Sequence, residues 1–318
     1  MDPLLPITSA AELITSREQT RTGFIEAALA KNEKARPHIE QARTLRTYAL
    51  TASTPMALLD IPAIRPALLT ASGLSDKAFK YFTDEDKTEA IEALIKNFLE
   101  PAGEDFADEL TYRFLLIKGD SLGGSMRNYV GEVAQIKLVR KLLSLLTLRT
   151  IDYQFISKNK KKSNEWIPGD YETDFASAAD INGIHWEYEG RNRLLFFNTS
   201  IPLVNKNVDI CLFDGDTHDF AGGAIVNHPD KAVMFGELKG DIDPAGADEH
   251  WKIGNSALAR IRVAFSPRPI QTSFIAAAIE TSMANEIWAQ LTTSTLNFAA
   301  NLTSDPQLTS YCDWIISL

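Results

Sequence analysis

Two short apolar stretches of the chain contain charged residues, which buried strands rarely carry. One stretch, residues 233–239, includes Glu237 and Lys239, and the other, residues 208–213, includes Asp209. Because side chains alternate between the two faces of a strand, Glu237 and Lys239 should point to the same side. Buried charges destabilise a fold unless they pair with each other or bind a metal ion. Two carboxylates and an ammonium group at strand ends therefore predict a site for a hard divalent cation.

Such a site is suited to hydrolysing a phosphodiester bond with the help of Mg²⁺. The carboxylates of Asp209 and Glu237 would hold the ion, and Lys239 would orient the attacking water or stabilise the charge that grows on the phosphate. The alternative is a structural ion pair between Lys239 and one carboxylate, because ion pairs also stabilise the ends of sheets. An Asp and a Glu-x-Lys occur together by chance in many chains, so the three residues alone do not decide.

The sequence around these residues resembles a known family of nucleases. Asp209 followed by Glu237-x-Lys239 matches the PD-(D/E)xK signature. Residues 236–252 read GELKGDIDPAGADEHWK and residues 122–128 read LGGSMRN, and both runs are similar to the type II restriction endonucleases of the AvaI/BsoBI group. The likeness extends from about residue 10 to the end of the sequence.

The resemblance implies a Mg²⁺-dependent endonuclease that cuts both strands of duplex DNA at a short palindrome, similar to CYCGRG, and leaves 5′-phosphate ends. It also implies a homodimer, because a two-fold symmetric target is matched by a two-fold symmetric protein, and a DNA methyltransferase as functional partner. Two alternatives stay open: a repair or recombination nuclease of the same superfamily without strict site specificity, and a non-catalytic DNA-binding module derived from such a nuclease.

Two further residues acquire a role from the resemblance. In the AvaI/BsoBI group a histidine at the position of His250 belongs to the active site, where an imidazole can accept a proton from water or bind the phosphate. An isolated histidine is otherwise more often a packing or capping residue. Glu132, on the helix before the sheet, matches a glutamate that in many related nucleases reaches the metal through water. A solvated helix residue is an equally simple interpretation of Glu132.

Several residues are candidates for contact with DNA. The resemblance suggests that Asp243 and a lysine of the helical region, Lys77, face the base edges, since carboxylates accept hydrogen bonds from cytosine and lysine donates to guanine. Asp243 is equally suited to capping the turn before Pro244. Further candidates for base or phosphate contact are Lys206, Arg127 and Asn128. Each of these polar groups has a plain solvated surface position as its alternative.

Composition limits the classes of protein that the chain can represent. Its formal net charge is −10, whereas DNA-binding proteins usually carry a basic surface, so a basic groove would have to lie on an acidic body. No apolar run approaches a membrane span and the first residues do not resemble a signal peptide. Two cysteines do not make a disulfide framework, so we expect a bacterial cytoplasmic protein. The glycines at 123–124 lack the lysine of a P-loop, so ATP use is not expected.

The periodicity of apolar residues predicts a helical first part and an α/β second part. Helices are predicted at 9–31, 37–52, 83–99, 106–117, 130–146, 247–265 and 282–302, and strands at 151–156, 193–197, 208–213, 232–238 and 272–279. The run Thr83-Asp-Glu-Asp86 resembles the N-terminal cap of its helix. A polar, glycine-rich break is predicted at 119–128. We therefore expect a helical N-terminal domain, residues 1–120, and a catalytic α/β domain, residues 121–318, in which helices flank a mixed sheet. The resemblance implies a PD-(D/E)xK restriction-endonuclease-like core and a helical domain that embraces the DNA.

Overall fold

The computed structural model describes residues 7–74, 77–160 and 164–318, except for the side chains at positions 79, 127, 221 and 222. The chain divides into two compact units. One unit comprises Met1–Phe24 with Tyr129–Leu318, and the other comprises Ile25–Asn128. None of the helices in the described ranges is both long enough and apolar enough to cross a membrane.

Helices and strands alternate only in the second part of the chain. The α-helices are α1 (Ala10–Leu13), α2 (Arg17–Ala49), α3 (Arg65–Ala71), α4 (Asp84–Leu94), α5 (Phe106–Leu148), α6 (Tyr171–Ala176), α7 (Pro244–Phe265), α8 (Thr281–Thr292) and α9 (Asp305–Ser317). The strands are β1 (Tyr153–Ser157), β2 (Ile167–Pro168), β3 (Ile181–Tyr188), β4 (Arg191–Ile201), β5 (Lys206–Asp214), β6 (Ala232–Lys239), β7 (Gln271–Ala276) and β8 (Phe298–Asn301).

The strands form one eight-stranded sheet in the order β2-β1-β3-β4-β5-β6-β7-β8. Neighbouring strands are antiparallel from β2 to β6. The two remaining pairs, β6 with β7 and β7 with β8, are parallel, as expected where α7 and α8 connect successive strands. The prediction of a mixed sheet flanked by helices, after a helical N-terminal region, is confirmed.

Each face of the sheet is covered by a separate apolar core. On one face Phe235 of β6 packs in a cluster with Trp251 and Leu258 of α7. On the other face Met234 of β6 packs in a cluster with Leu142 of α5 and Tyr311 of α9. Because side chains alternate along a strand, the residues of β6 that follow Phe235 at intervals of two, Glu237 and Lys239, lie on the α7 face.

The helical unit has its own core, which contains Leu45, Leu68, Ile91 and Leu110. Its helix α4 begins with a capping box, in which Thr83 Oγ1 accepts a hydrogen bond from the Asp86 N–H and Asp86 accepts one from the Thr83 N–H. Reciprocal capping of this kind satisfies two N–H groups that the first turn of a helix leaves unpaired. The predicted start of this helix is therefore confirmed.

Two helices are longer than the sequence predicts. Helix α2 runs through Pro37 without a break, and α5 runs through residues 119–128, where a flexible polar segment is expected. Glycine costs a helix about 1 kcal/mol relative to alanine, and an internal proline about 3 kcal/mol. Long flanks of good helix-forming residues offset these local costs, because propagation adds one hydrogen bond for each residue fixed. The predicted boundary near residue 120 falls inside α5.

The end of the chain also differs from the prediction. The predicted helix at 282–302 is α8 followed by β8, since α8 ends at Thr292 and Ser294 adopts the left-handed backbone conformation with φ 56°. Strand β8 then pairs in parallel with β7. Strands β2 and β3 are likewise absent from the prediction.

The continuity of α5 can be tested by comparing two glycines. A Cβ added at Gly124, within α5, or at Gly103, which has φ +60°, meets no heavy atom within 4 Å. Gly124→Ala should raise the free energy of unfolding by about 0.5–1 kcal/mol, because alanine favours the helix. Gly103→Ala should lower it by about 1 kcal/mol, because alanine resists the left-handed conformation. Urea unfolding measures both, and a Gly124→Ala chain that is no more stable than the parent would contradict a continuous helix.

Candidate active site

The site forms where β5 and β6 separate. Their ladder ends at the pair Ile210 and Gly236. Beyond this pair the Leu238 N–H donates to the carboxylate Oδ2 of Asp209, at 2.9 Å, instead of to a backbone carbonyl. The Asp209 side chain thus fills the gap between the diverging strands, which fixes its carboxylate beside the end of β6.

Three of the four residues predicted to be catalytic meet at this point. The Nζ atom of Lys239 lies 3.0 Å from Asp209 Oδ2 and 2.6 Å from Glu237 Oε2. The side chain of Glu237 is 7% exposed, whereas those of Lys239 and Asp209 are 21% and 26% exposed. The cluster therefore lies at the surface with one carboxylate almost fully buried beneath it.

Burial and charge act on these groups in opposite directions. Burial raises the pKa of Glu237, the negative charge of Asp209 raises it further, and Lys239 only partly opposes them, so the pKa reaches about 7. Burial lowers the pKa of Lys239, but the two carboxylates outweigh it and the net shift is upward. The lysine is therefore a stable cation, and Glu237 gains or loses its proton close to neutrality.

The end of β6 is held on two sides. The Ala277 N–H donates to the carbonyl of Lys239 at 2.9 Å, which extends the parallel pairing with β7. At Gly240 the backbone turns directly over α5, and a Cβ at this position would collide with the carbonyl oxygen of Val130. Only glycine allows this close approach, so the chain leaves Lys239 along a fixed path.

Helix α7 follows this turn and lies over β6. It begins at Asp243, whose Oδ1 accepts a hydrogen bond from the Ala245 N–H at 3.0 Å, with Pro244 in the first turn. Trp251 is fully buried and its ring meets Phe274 edge to face, with 4.9 Å between centroids. The Trp251 Nε1–H donates to Glu286 Oε2 of α8 at 2.7 Å. These contacts fix α7 against the sheet.

His250 is one turn before the point where α7 touches β6. That point is Gly254, where an added Cβ would lie 3.7 Å from Glu237 Cβ. Residues four apart share a helix face, so His250 and Gly254 lie on the same side of α7. The imidazole lies over Gly246, with Cε1 3.5 Å from the position of a Cβ there, and His250 is half-buried.

Comparison with known proteins decides the family. The model of the family described as restriction endonuclease BsobI matches residues 5–318. The chain is 48% identical to the type II restriction enzyme BsoBI of Geobacillus stearothermophilus, over 98% of this chain and 97% of that enzyme. It is also 48% identical to the type II restriction enzymes AvaI of Nostoc sp. and of Anabaena variabilis, over 98% of both chains in each case.

The chain belongs to the BsobI restriction endonuclease family. This confirms the predicted relationship to the AvaI/BsoBI group and the predicted class of enzyme, a type II site-specific deoxyribonuclease acting on DNA.

One residue predicted for the site of this endonuclease, Glu132, forms an ion pair of its own. Glu132 on α5 pairs with Lys158, with 3.1 Å between Oε1 and Nζ. Val130 and Ala134 of the same helix face Gly240. Because each residue of an α-helix advances by about 100°, Glu132 projects from the opposite side of α5. The ion pair with Lys158 accounts for the position of the Glu132 side chain, and its contact with the metal through water stays a prediction.

The predicted DNA contacts occupy different settings. Arg127 and Asn128 lie within α5 and not in a loop; Asn128 is exposed, and the side chain of Arg127 lies outside the described residues. Lys77 and Lys206 are exposed. Asp243 is the N-cap of α7. The capping alternative considered for Asp243 is thus present, although it uses only one of the two carboxylate oxygens.

Sequence reasoning missed the residues that hold α7 in place. Gly254 and Glu286 have no chemical role that composition or a motif would indicate, and Trp251 entered the sequence analysis only as part of the run 236–252. The spacing of four residues between His250 and Gly254 is the one local signal, since a small residue on the histidine's helix face permits a close approach to the sheet.

The raised pKa of Glu237 leads to a prediction for stability in the absence of divalent ions. The fold favours protonated Glu237, so this contribution is complete below pH 4.5 and is lost as pH rises to about 7. The loss is on the order of 3 kcal/mol. Glu237→Gln is neutral throughout and should lack it, so its stability relative to the parent should grow between pH 4.5 and 7.

Urea unfolding in a chelating buffer across this pH range measures the difference. Glu249→Gln, at an exposed position on α7, is the control and should follow the parent at each pH. Parallel curves for Glu237→Gln and the parent would show that the fold does not favour the protonated carboxyl.

Proposed function

We propose that this endonuclease hydrolyses both strands of duplex DNA at a short palindrome, with Mg²⁺ held by Asp209 and Glu237 and with Lys239 and His250 acting on the attacking water. Water attacks phosphorus in line and the bond from phosphorus to the 3′ oxygen breaks. The products carry 5′-phosphate and 3′-hydroxyl ends. The observation that carries the proposal is the convergence of Asp209, Glu237 and Lys239 in a protein of this family.

Membership of a restriction endonuclease family implies a divalent metal ion, and the residues present fit Mg²⁺. This ion takes oxygen ligands, usually one or two carboxylates together with water and phosphate oxygens. Asp209 and Glu237 supply two carboxylates that contact one ammonium group. Within the part of the chain that the structure describes, no group of three or more His, Cys, Asp and Glu side chains is placed to hold a metal ion. Water and phosphate oxygens would therefore have to complete the ligand set around the two carboxylates. When bound, Mg²⁺ would offset the negative charge that develops on the phosphate.

Lys239 keeps its charge in the site and is 21% exposed. A fixed ammonium group beside the attacked phosphate stabilises negative charge as it develops and orients the water that attacks. Its two ion pairs hold Nζ in one position before DNA arrives. Because Nζ is already held in position, the Lys239 side chain needs little rearrangement when the reaction takes place.

His250 is proposed to accept the proton of the attacking water or to donate a hydrogen bond to the phosphate. Its place on the α7 face that touches β6, one turn from Gly254, supports this role. Histidine is the side chain that most often acts as a general base in enzymes. General-base catalysis of this kind contributes about 10²–10⁴ in rate.

We propose a CYCGRG-like target, read in part by Asp243 and Lys77. The Oδ1 atom of Asp243 caps α7, and an ionised carboxylate can accept further hydrogen bonds, so the same side chain can also accept one from cytosine. Lys206, Asn128 and Arg127 are further candidates for contact with bases or phosphates. For a chain of net charge −10, such local cations are needed to counter repulsion from the phosphates.

A palindromic target is matched by a homodimer with one active site for each strand. We propose this assembly, with the helical N-terminal region embracing the duplex. A DNA methyltransferase that protects the same site in the host genome is the proposed functional partner.

The metal assignment is tested with Asp209→Ala and Glu237→Ala. Each variant should lose at least about 10³ in the rate of plasmid cleavage with Mg²⁺, because the ion loses a ligand. Binding to the target measured in Ca²⁺, which should support binding without cleavage, should remain.

The parent should give discrete plasmid fragments whose sequenced ends define the site, and a smear would refute site specificity.

Glu187→Ala, at an exposed position on β3, is the matched control and should cut as the parent does. A folded Asp209→Ala or Glu237→Ala chain that cuts at the parental rate would remove that carboxylate from the mechanism.

The role of His250 is tested with His250→Ala. The single-turnover cleavage rate at neutral pH should fall by about 10²–10⁴, while DNA binding in Ca²⁺ should stay within a few-fold of the parent. An unchanged rate would exclude His250 from the chemistry and leave the metal assignment standing.

A further inference from the structure

Helix α7 approaches the sheet most closely at Gly254. A Cβ at this position would lie 2.7 Å from Cε2 and 3.2 Å from Cδ2 of Phe274, and 3.7 Å from Cβ of Glu237. Carbon atoms that are not bonded pack at about 3.5–4.0 Å. Any residue larger than glycine at 254 therefore forces either Phe274 or the helix to move.

The ring of Phe274 has little room to move away from an added Cβ. Its side chain is fully buried, and it is the register partner of Glu237 between β6 and β7. Its ring packs against Trp251, which is itself fully buried and hydrogen-bonded to Glu286. Close-packed interiors transmit strain rather than absorb it. We expect a larger residue at 254 to displace α7 from the sheet locally.

A displacement at Gly254 changes the position of His250 relative to Glu237. The two α7 residues are one turn apart on the same face, and a helix moves as a stiff body over one turn. Gly246, over which the imidazole lies, belongs to the same helix, so it moves together with the ring and does not hold it in place. A misplacement of about 1 Å at a catalytic group can cost about 10² in rate.

We propose that Gly254 is a positioning residue that sets the distance of His250 from the carboxylates by allowing α7 to rest directly on Glu237 and Phe274. Gly254 touches no substrate and acts only through His250. The inference rests on the proposed function, because it assumes that His250 takes part in cleavage.

The test is a double-mutant cycle on the full chain, with single-turnover plasmid cleavage in Mg²⁺. Gly254→Ala should slow the parent by about 10- to 100-fold. In the His250→Ala background the same change should cost less than about 3-fold, because the group that it misplaces is already gone. Equal losses in both backgrounds would overturn the proposal, since Gly254 would then act independently of His250.

Rescue provides a second readout. Phe274→Leu removes the ring atoms that an added Cβ meets, so the Gly254→Ala, Phe274→Leu double variant should return to within about 3-fold of Phe274→Leu alone. Failure of this rescue would show that the contact with Phe274 does not cause the loss. The rescue also keeps the proposal testable if Gly254→Ala alone folds poorly.

Two controls separate positioning from loss of stability. Ile261→Val removes one methyl group from a buried position on α7 and should leave the rate unchanged despite some destabilisation. DNA binding by Gly254→Ala in Ca²⁺ should match the parent, and a parallel loss of binding would contradict the proposal, because the substitution would then disturb the DNA-binding surface and not only the position of His250. If His250→Ala cuts at the parental rate, the role of His250 fails. If Gly254→Ala cuts at the parental rate while His250→Ala is slowed, only the positioning proposal fails.

Discussion

The ion pairs of Lys239 with Asp209 and Glu237 are the interaction on which the candidate site depends. Two carboxylates beside each other repel, and one of them is almost fully buried, so without a cation the cluster would destabilise the fold. The ammonium group contacts both carboxylates at 3.0 and 2.6 Å and offsets part of that cost. Lys239 offsets only one of the two negative charges of the ionised carboxylates, and the charge that remains attracts a divalent ion.

The mixed sheet explains how such a cluster is held without closing the site. On one side of β6 the antiparallel ladder with β5 ends at Gly236, and the Asp209 carboxylate replaces it. On the other side the parallel ladder with β7 continues to Lys239. Glu237 and Lys239 are therefore fixed by backbone pairing on one side, while the other side opens. A sheet that paired fully on both sides would leave no room for a phosphate.

What could be predicted from the sequence is what depends on local geometry. The alternation along β6 placed Glu237 and Lys239 on one face, and the cap at Thr83 set the start of α4. Strand β8 was missed because it is stabilised mainly by pairing with β7, from which α8 separates it in the sequence. Strand β3 was missed although its partner β4 is local, because the hairpin turn at Glu189 and Gly190 was overlooked. The break expected at 119–128 was wrong because glycine lowers helix propensity without preventing a long helix from passing. The position of Glu132 relative to the carboxylates depends on tertiary packing and could not be predicted.

Helix α7 links the proposed reading of DNA to the proposed chemistry. Its N-cap is Asp243, and His250 and Gly254 follow within the same rigid element. The cap bond to Ala245 fixes the orientation of the Asp243 carboxylate, and the contacts of Trp251 fix the helix on the sheet. A base contact at Asp243 and a phosphate contact at His250 would therefore be made by groups whose separation the helix sets. Such a helix favours cleavage only when the target is in register, because a shift of the DNA that breaks one contact also disturbs the other.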